Sequence, residues 1–224
     1  MSARARILRR LRDAPPSKEV PLPDVAGWFA AHARGEDLAR RIARLRYALE
    51  GAHAEVHDTT ATEWPALLLK IAAAKGVRTL LIGTDCAHGT TLQTMPVVGL
   101  QLVPYASAIE SWRATLFDGI DAGLTLAKSA IAESGSLILW PDASEPRLLS
   151  LVPPLHFVLL DTASIHADFH SALGAENWKD GLPANALLIS GPSKTADIQQ
   201  TLAYGAHGPR ELIVLLRHPQ GGAA

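Results

Sequence analysis

Six short and almost wholly apolar runs punctuate the chain, at residues 79–82, 100–103, 137–140, 157–160, 186–189 and 212–216. Runs of this length, bounded by turn residues, read as buried strands. A strand with one wet face alternates polar and apolar side chains, and these do not alternate. Both of their faces must be covered. Helical spacing fills the gaps between several of them. Residues 63–75 end at Gly76, a natural C-cap, and residues 108–117 set Ile109, Trp112 and Leu116 on one face. Residues 164–173 and 195–204 read as helices too. Strand and helix in alternation define an α/β fold with a mostly parallel sheet flanked by helices. Residues 118–140 depart from the pattern. They are helix-poor, turn at Ala132-Glu133-Ser134-Gly135-Ser136, and suggest a hairpin or a mixed-sheet insertion.

The first 50 residues lack strands. A basic helix stops before Ala14-Pro15-Pro16-Ser17, and Pro21 and Pro23 continue an extended linker. Leu38, Ile42, Leu45 and Leu49 then follow helical spacing. The expected organisation is an N-terminal helical extension and linker at 1–50, an α/β domain at 51–217, and a disordered tail at 218–224.

With 224 residues, 48% of them hydrophobic, the chain is long enough to bury one sizeable core. A net charge of -1 and 5% aromatic residues argue against a nucleic-acid groove or a base-stacking surface. No apolar run approaches the roughly 18 residues of a spanning helix, and residues 2–12 lack the apolar core of a secretory signal. Cys86 is the sole cysteine, so no intrachain disulfide can form, which fits a cytoplasmic location. An iron–sulfur cluster, which normally takes four thiolates, cannot be held by this chain alone.

Three segments have the residue types for chemistry. In Ser190-Gly191-Pro192-Ser193-Lys194-Thr195-Ala196-Asp197-Ile198, a parallel strand is expected to end at Ile189 and a helix to start near Ser193. The free N–H groups of such a helix attract anions, with Ser193, Thr195 and Lys194 adding hydroxyls and a charge. The same residues also suit a plain helix cap, with Ser193 capping and Asp197 complementing the dipole. In Gly205-Ala206-His207-Gly208-Pro209, His207 sits among turn residues, either as an acid/base group or as a loop histidine bonded to backbone. Glu133 lies at a strand margin, where a partly desolvated carboxylate can act as base or nucleophile; a solvated turn residue is the competing reading. No metal site is expected. His166 and His170 stand four apart without a third ligand and read as a surface pair. Gly83-Thr84-Asp85-Cys86-Ala87-His88-Gly89-Thr90-Thr91 has neither the spacing nor the lysine of a phosphate loop, and no G-x-G-x-x-G follows a strand.

Taken in order, the 190–198 and 205–209 segments, together with Ala132-Glu133-Ser134-Gly135-Ser136-Leu137 and Leu149-Ser150-Leu151-Val152-Pro153-Pro154-Leu155-His156, resemble the signature of the LUD-domain proteins. Within that family the motifs look most like the C type of the lactate-utilisation proteins. Ser134 and Ser136 stand where the family more often has threonine. The resemblance runs from about residue 50 to 217. It implies a fold similar to the NagB/RpiA/CoA-transferase-like class. It also implies a part in L-lactate oxidation to pyruvate alongside two other proteins of the same system, one bearing iron–sulfur clusters. Redox chemistry needs a carrier, and no cofactor is expected in this chain. A non-redox subunit holding a small anionic ligand is therefore the first functional expectation, with Gly191, Pro192, Ser193, Lys194, Thr195 and Ser136 as ligand-binding residues and Glu133 and His207 as catalytic candidates. The alternative is a stand-alone enzyme acting on a phosphosugar, a CoA ester or a folate through Glu133 and the Gly191 turn. A purely structural assembly factor is a third reading.

Overall fold

The computed structural model describes residues 2–14, 21–33, 35–196 and 202–219. The chain divides between Gly35 and Glu36 into two units. In the first, α1 (Ala3–Arg12) and α2 (Val25–Ala31) each begin on a side-chain cap. Ser2 accepts from the Ala5 N–H at 3.3 Å, and Asp24 accepts from the Gly27 N–H at 2.8 Å. Neither helix buries a residue.

The second unit opens with α3 (Leu38–Gly51), capped by Asp37. Leu45 and Leu49 of this helix are fully buried against Val158, Leu160, Val214 and Leu216. The extension drawn to residue 50 therefore ends at Gly35, and α3 is part of the α/β unit. There follow β1 (Glu55–Thr60), α4 (Trp64–Ala74), β2 (Thr79–Ile82), α5 (Ala87–Gln93), β3 (Gln101–Pro104), α6 (Arg113–Asp118) and β4 (Ala122–Leu126). Next come β5 (Ser129–Ile131), β6 (Ser136–Leu139), α7 (Leu148–Leu151), β7 (Leu155–Asp161), β8 (Ile165–His166) and α8 (Phe169–Ala175). The chain closes with β9 (Leu187–Ile189), β10 (Lys194–Ala196), β11 (Leu202–Tyr204) and β12 (Glu211–His218).

Six strands form a wholly parallel sheet in the order β1-β12-β7-β4-β2-β3. Its central strands bury both faces, which is why they read as unbroken apolar runs. Phe157, Leu159, Ile213 and Leu215 point to Trp64 and Leu68 of α4. Val158, Leu160, Leu212 and Val214 point to the opposite face, towards α3. A second sheet, β8-β5-β6-β9, packs on that face with Ala130 and Leu137. Its β5–β6 pair is the hairpin expected within 118–140.

Several expected elements change. Where a helix is expected over 195–204, the described residues are strands: β10 and β11 pair antiparallel with Thr195 opposite Ala203. The backbone of Ser193 is paired with distant residues: its N–H donates to Pro209 O at 2.8 Å, and its carbonyl accepts from Gly205 N–H at 2.9 Å. Long-range pairing has overridden local propensity. Asp197 and Ile198 lie outside the described residues, as do 220–224 of the expected tail. The tail's first residue, His218, ends β12. β9 is antiparallel to β6 in the small sheet and is not part of the parallel one. Residues 108–117 split into a 3-10 turn, Ile109–Ser111, and α6. Residues 164–173 split between β8 and α8, which leaves His166 on a strand and His170 on a helix.

Candidate functional site

The three motif segments meet at one place. Ser136 Oγ lies 2.8 Å from Ser134 Oγ and 2.7 Å from Ser190 Oγ, a file of three hydroxyls joining the 132–136 turn to the end of β9. Both turns are held against the C-terminal end of α3 by glycines. Gly135 has φ 64°, and a Cβ there would lie 2.6 Å from Ala48 Cβ. Gly191 has φ 146°, and its Cβ would come within 2.9 Å of Ala52. No other residue fits either position without strain. The 205–209 turn closes on the same spot through the Ser193–Pro209 bond, and Arg210 N–H donates to Pro154 O at 2.7 Å.

Between the 190–193 and 207–209 turns lies a cavity of about 210 Å³. Ser190, Gly191 and Ser193 line one side, His207, Gly208 and Pro209 another, and Ser150, Leu151 and His156 the third, with Leu188, Ile189 and Leu212 supplying apolar surface. His156 and Leu212 are each the second residue of their strand, so the cavity lies at the amino ends of β7 and β12. Open α/β sheets more usually hold ligands beyond the carboxyl ends. Among the described residues no Lys, Arg, Asp or Glu lines it.

His156 is the most buried polar residue of this wall. It is 1% exposed, and its Nε2 lies 2.8 Å from Thr125 Oγ1 of β4. Nδ1 is buried without a hydrogen-bond partner among the described residues. Burial holds its pKa down at about 3, so the ring is neutral near pH 7. No role follows for His156 from the sequence, yet the signal is visible there, a lone polar residue opening a strand that is otherwise apolar as far as Asp161.

The expected site residues divide. Gly191, Ser193 and His207 line the cavity, and Ser136 reaches it through Ser190. Pro192 is half-buried in the turn but does not line the cavity. Lys194 is exposed on β10 and, like Thr195, is not in the wall. Among the described residues no helix starts near Ser193, where Lys194–Ala196 form β10, so the expected anion-binding helix terminus is not found there. Glu133 is exposed, its backbone N–H donating to Ala167 O, and it does not face the cavity.

A second polar cluster lies at the carboxyl ends of β2 and β4. His88 Nε2 is 2.9 Å from Glu145 Oε1 and 3.5 Å from Cys86 Sγ, and Glu145 also accepts from the Leu126 N–H. Both ring contacts fall on one nitrogen, so the imidazole cannot relay a proton between thiol and carboxylate as a nucleophile–base–acid triad requires. Burial pushes the Cys86 thiol up, away from the reactive thiolate. Glu145 and Cys86 pack on Gly83, and Cys86 also packs on Gly89, so this phosphate-loop-like segment is filled by side chains.

The LUD domain family model matches residues 42–216, and the chain belongs to that family. It is 37% identical over 220 residues to the uncharacterized protein NMB1437 of Neisseria meningitidis serogroup B, covering 96% of this chain and 93% of that one. Lactate utilization protein C of Bacillus pumilus is 25% identical, over 78% of this chain and 77% of its own. The same-named protein of Macrococcus caseolyticus is 32% identical, but the match spans only 40% of each chain. The fold is shared with the crystal structure of a DUF162 family protein from Deinococcus radiodurans, at TM-score 0.58, 22% identity, and coverage of 81% of this chain and 99% of that one.

Proposed function

We propose that this chain is a subunit of a cytoplasmic lactate-utilisation system, one that carries no redox centre and holds a small carboxylate in the cavity between the 190–193 and 207–209 turns. The observation that carries the reading is the convergence of three separate LUD-like segments on a single cavity, through Ser150 and His156, through Ser190, Gly191 and Ser193, and through His207, Gly208 and Pro209. Its chemistry suits a small, singly charged ligand. The wall offers serine hydroxyls and two imidazoles, one buried and neutral, with no lysine or arginine to balance a phosphate dianion. L-Lactate and pyruvate are the natural candidates, given the relatives named lactate utilization protein C. The electrons of lactate oxidation would pass to an iron–sulfur partner.

The stand-alone enzyme reading fares worse, because Glu133 is exposed and away from the cavity. Two measurements test the proposal. Anaerobic affinity purification of the tagged chain from its native host should recover an iron–sulfur protein; its absence from repeated preparations argues against a place in such a complex. Calorimetric titration should detect L-lactate or pyruvate binding, weakened in Ser193→Ala and unchanged in Lys194→Ala and Glu133→Gln. Turnover of a phosphosugar or CoA ester that is lost in Glu133→Gln would reinstate the alternative.

A further inference from the structure

Among the described residues Thr125 and His156 each have one side-chain partner, and it is the other. Both are buried, at 3% and 1% exposure, so neither can complete its bonding with bulk water. Two proton arrangements are possible. If His156 Nε2–H donates to Thr125 Oγ1, the threonine O–H and the bare Nδ1 are both left unsatisfied. If instead the threonine O–H donates to Nε2, the proton moves to Nδ1, and that one N–H is the sole donor without an acceptor. Buried donors are rarely left unpaired, so the arrangement with one orphan prevails over the arrangement with two. The Nδ1 proton then belongs to a residue of the cavity wall.

We propose that His156 selects the ligand of this cavity, donating its Nδ1–H to a carboxylate or carbonyl oxygen of a small molecule seated against it. The inference rests on the cavity being a ligand site, and it adds the atom that does the reading. An acceptor oxygen at Nδ1 completes the whole Thr125–His156 pair, whereas a ligand hydroxyl donating there would require the costlier tautomer. The absence of lysine and arginine from the described wall limits the acceptor to a neutral carbonyl or a single carboxylate.

Nitrogen-15 NMR of histidine-labelled protein reads the tautomer directly. The expected result is His156 protonated on Nδ1 and bare on Nε2, with the Nδ1–H resonance shifting on addition of sodium L-lactate or sodium pyruvate. Hydroxyacetone, which has the ketone but no carboxylate, separates the two kinds of acceptor. Folded His156→Leu should bind roughly tenfold to a hundredfold more weakly, the usual effect of losing a hydrogen bond to a charged group. His156→Asn, whose amide nitrogen sits close to the place of Nδ1, should bind within a few-fold of wild type, and Thr125→Val should show both tautomers. An Nε2-protonated ring overturns the inference. So does undiminished lactate binding by folded His156→Leu, which leaves the cavity reading standing. Failure of the wild-type protein to bind any of the three probes removes the inference and the cavity reading together.

Discussion

Ser136 and Ser190, 54 residues apart in sequence, bring their hydroxyls to 2.7 Å of each other. Ser136 is 5% exposed and Ser190 opens onto the cavity, so this bond ties a buried strand start to the rim of the site. Replacing either serine alone leaves the other's hydroxyl short of a partner. Urea unfolding of Ser136→Ala, Ser190→Ala and the double variant should give a coupling of about 0.5–1.5 kcal/mol, the net worth of a neutral hydrogen bond. Simple additivity would mean that the contact has no energetic weight.

The glycines beneath that contact can be ranked. Gly135→Ala and Gly191→Ala each combine a positive φ with a Cβ driven into the end of α3, at 2.6 Å from Ala48 and 2.9 Å from its C-cap, Ala52. Gly76, which follows the Lys75 C-cap of α4, also has positive φ, at 71°, but among the described residues nothing lies within 4 Å of its Cβ position. Gly76→Ala should therefore cost about 1 kcal/mol of backbone strain. The other two should cost about 2–4 kcal/mol and weaken ligand binding as well, because the turns they anchor form the cavity. Thermal melts and calorimetric titration would show whether stability and affinity fall together.

What the sequence makes legible follows burial. The strands buried on both faces, β7 and β12, stand out as apolar runs, and the parallel α/β class follows from them. β1 and β4 leave no such mark. β1 is an edge strand that reads Glu-Val-His-Asp-Thr-Thr. β4 uses small residues because a Cβ at Gly123 would sit 2.2 Å from Leu149 O of α7. The 190–196 segment is misleading for a different reason: serine, proline and glycine at its start serve a helix cap and a tight turn equally well. The pairing that decides between them comes from residues 202–209. The site was half legible. Residue types could mark Gly191, Ser193 and His207, but exposure removes Lys194 and Glu133, and only the fold brings His156 to the same wall.

Helix α3 tests the domain boundary. Leu45 and Leu49 are fully buried in the same cluster as Val158 and Val214. Leu45→Ala or Leu49→Ala should lower the unfolding free energy of the α/β unit by about 2–5 kcal/mol, the cost of a core truncation with its cavity. Substitutions of Ile7 or Leu11, which are 61% and 69% exposed on α1, should change it by less than about 0.5 kcal/mol. Equal effects at both places would contradict a boundary at Gly35.

The buried imidazole also makes stability depend on pH. His156 has its pKa lowered from 6.5 to about 3 by burial, so below pH 6.5 the unfolded chain takes up a proton that the folded one refuses. Stability is highest above the unfolded value and falls as pH drops from 6.5 towards 3, because the unfolded state binds more protons across that window. From about pH 7 to about pH 5 the loss attributable to this one residue is about 2 kcal/mol. His156→Asn has no imidazole to protonate and should lose that much less over the same interval, even if it starts from a lower stability. Urea unfolding of both proteins at the two pH values isolates the difference from the other histidines, which both proteins share. Parallel pH profiles would mean that the ring is protonated, or hydrated, inside the folded protein, and would undo the neutral tautomer on which the donor role of Nδ1 depends.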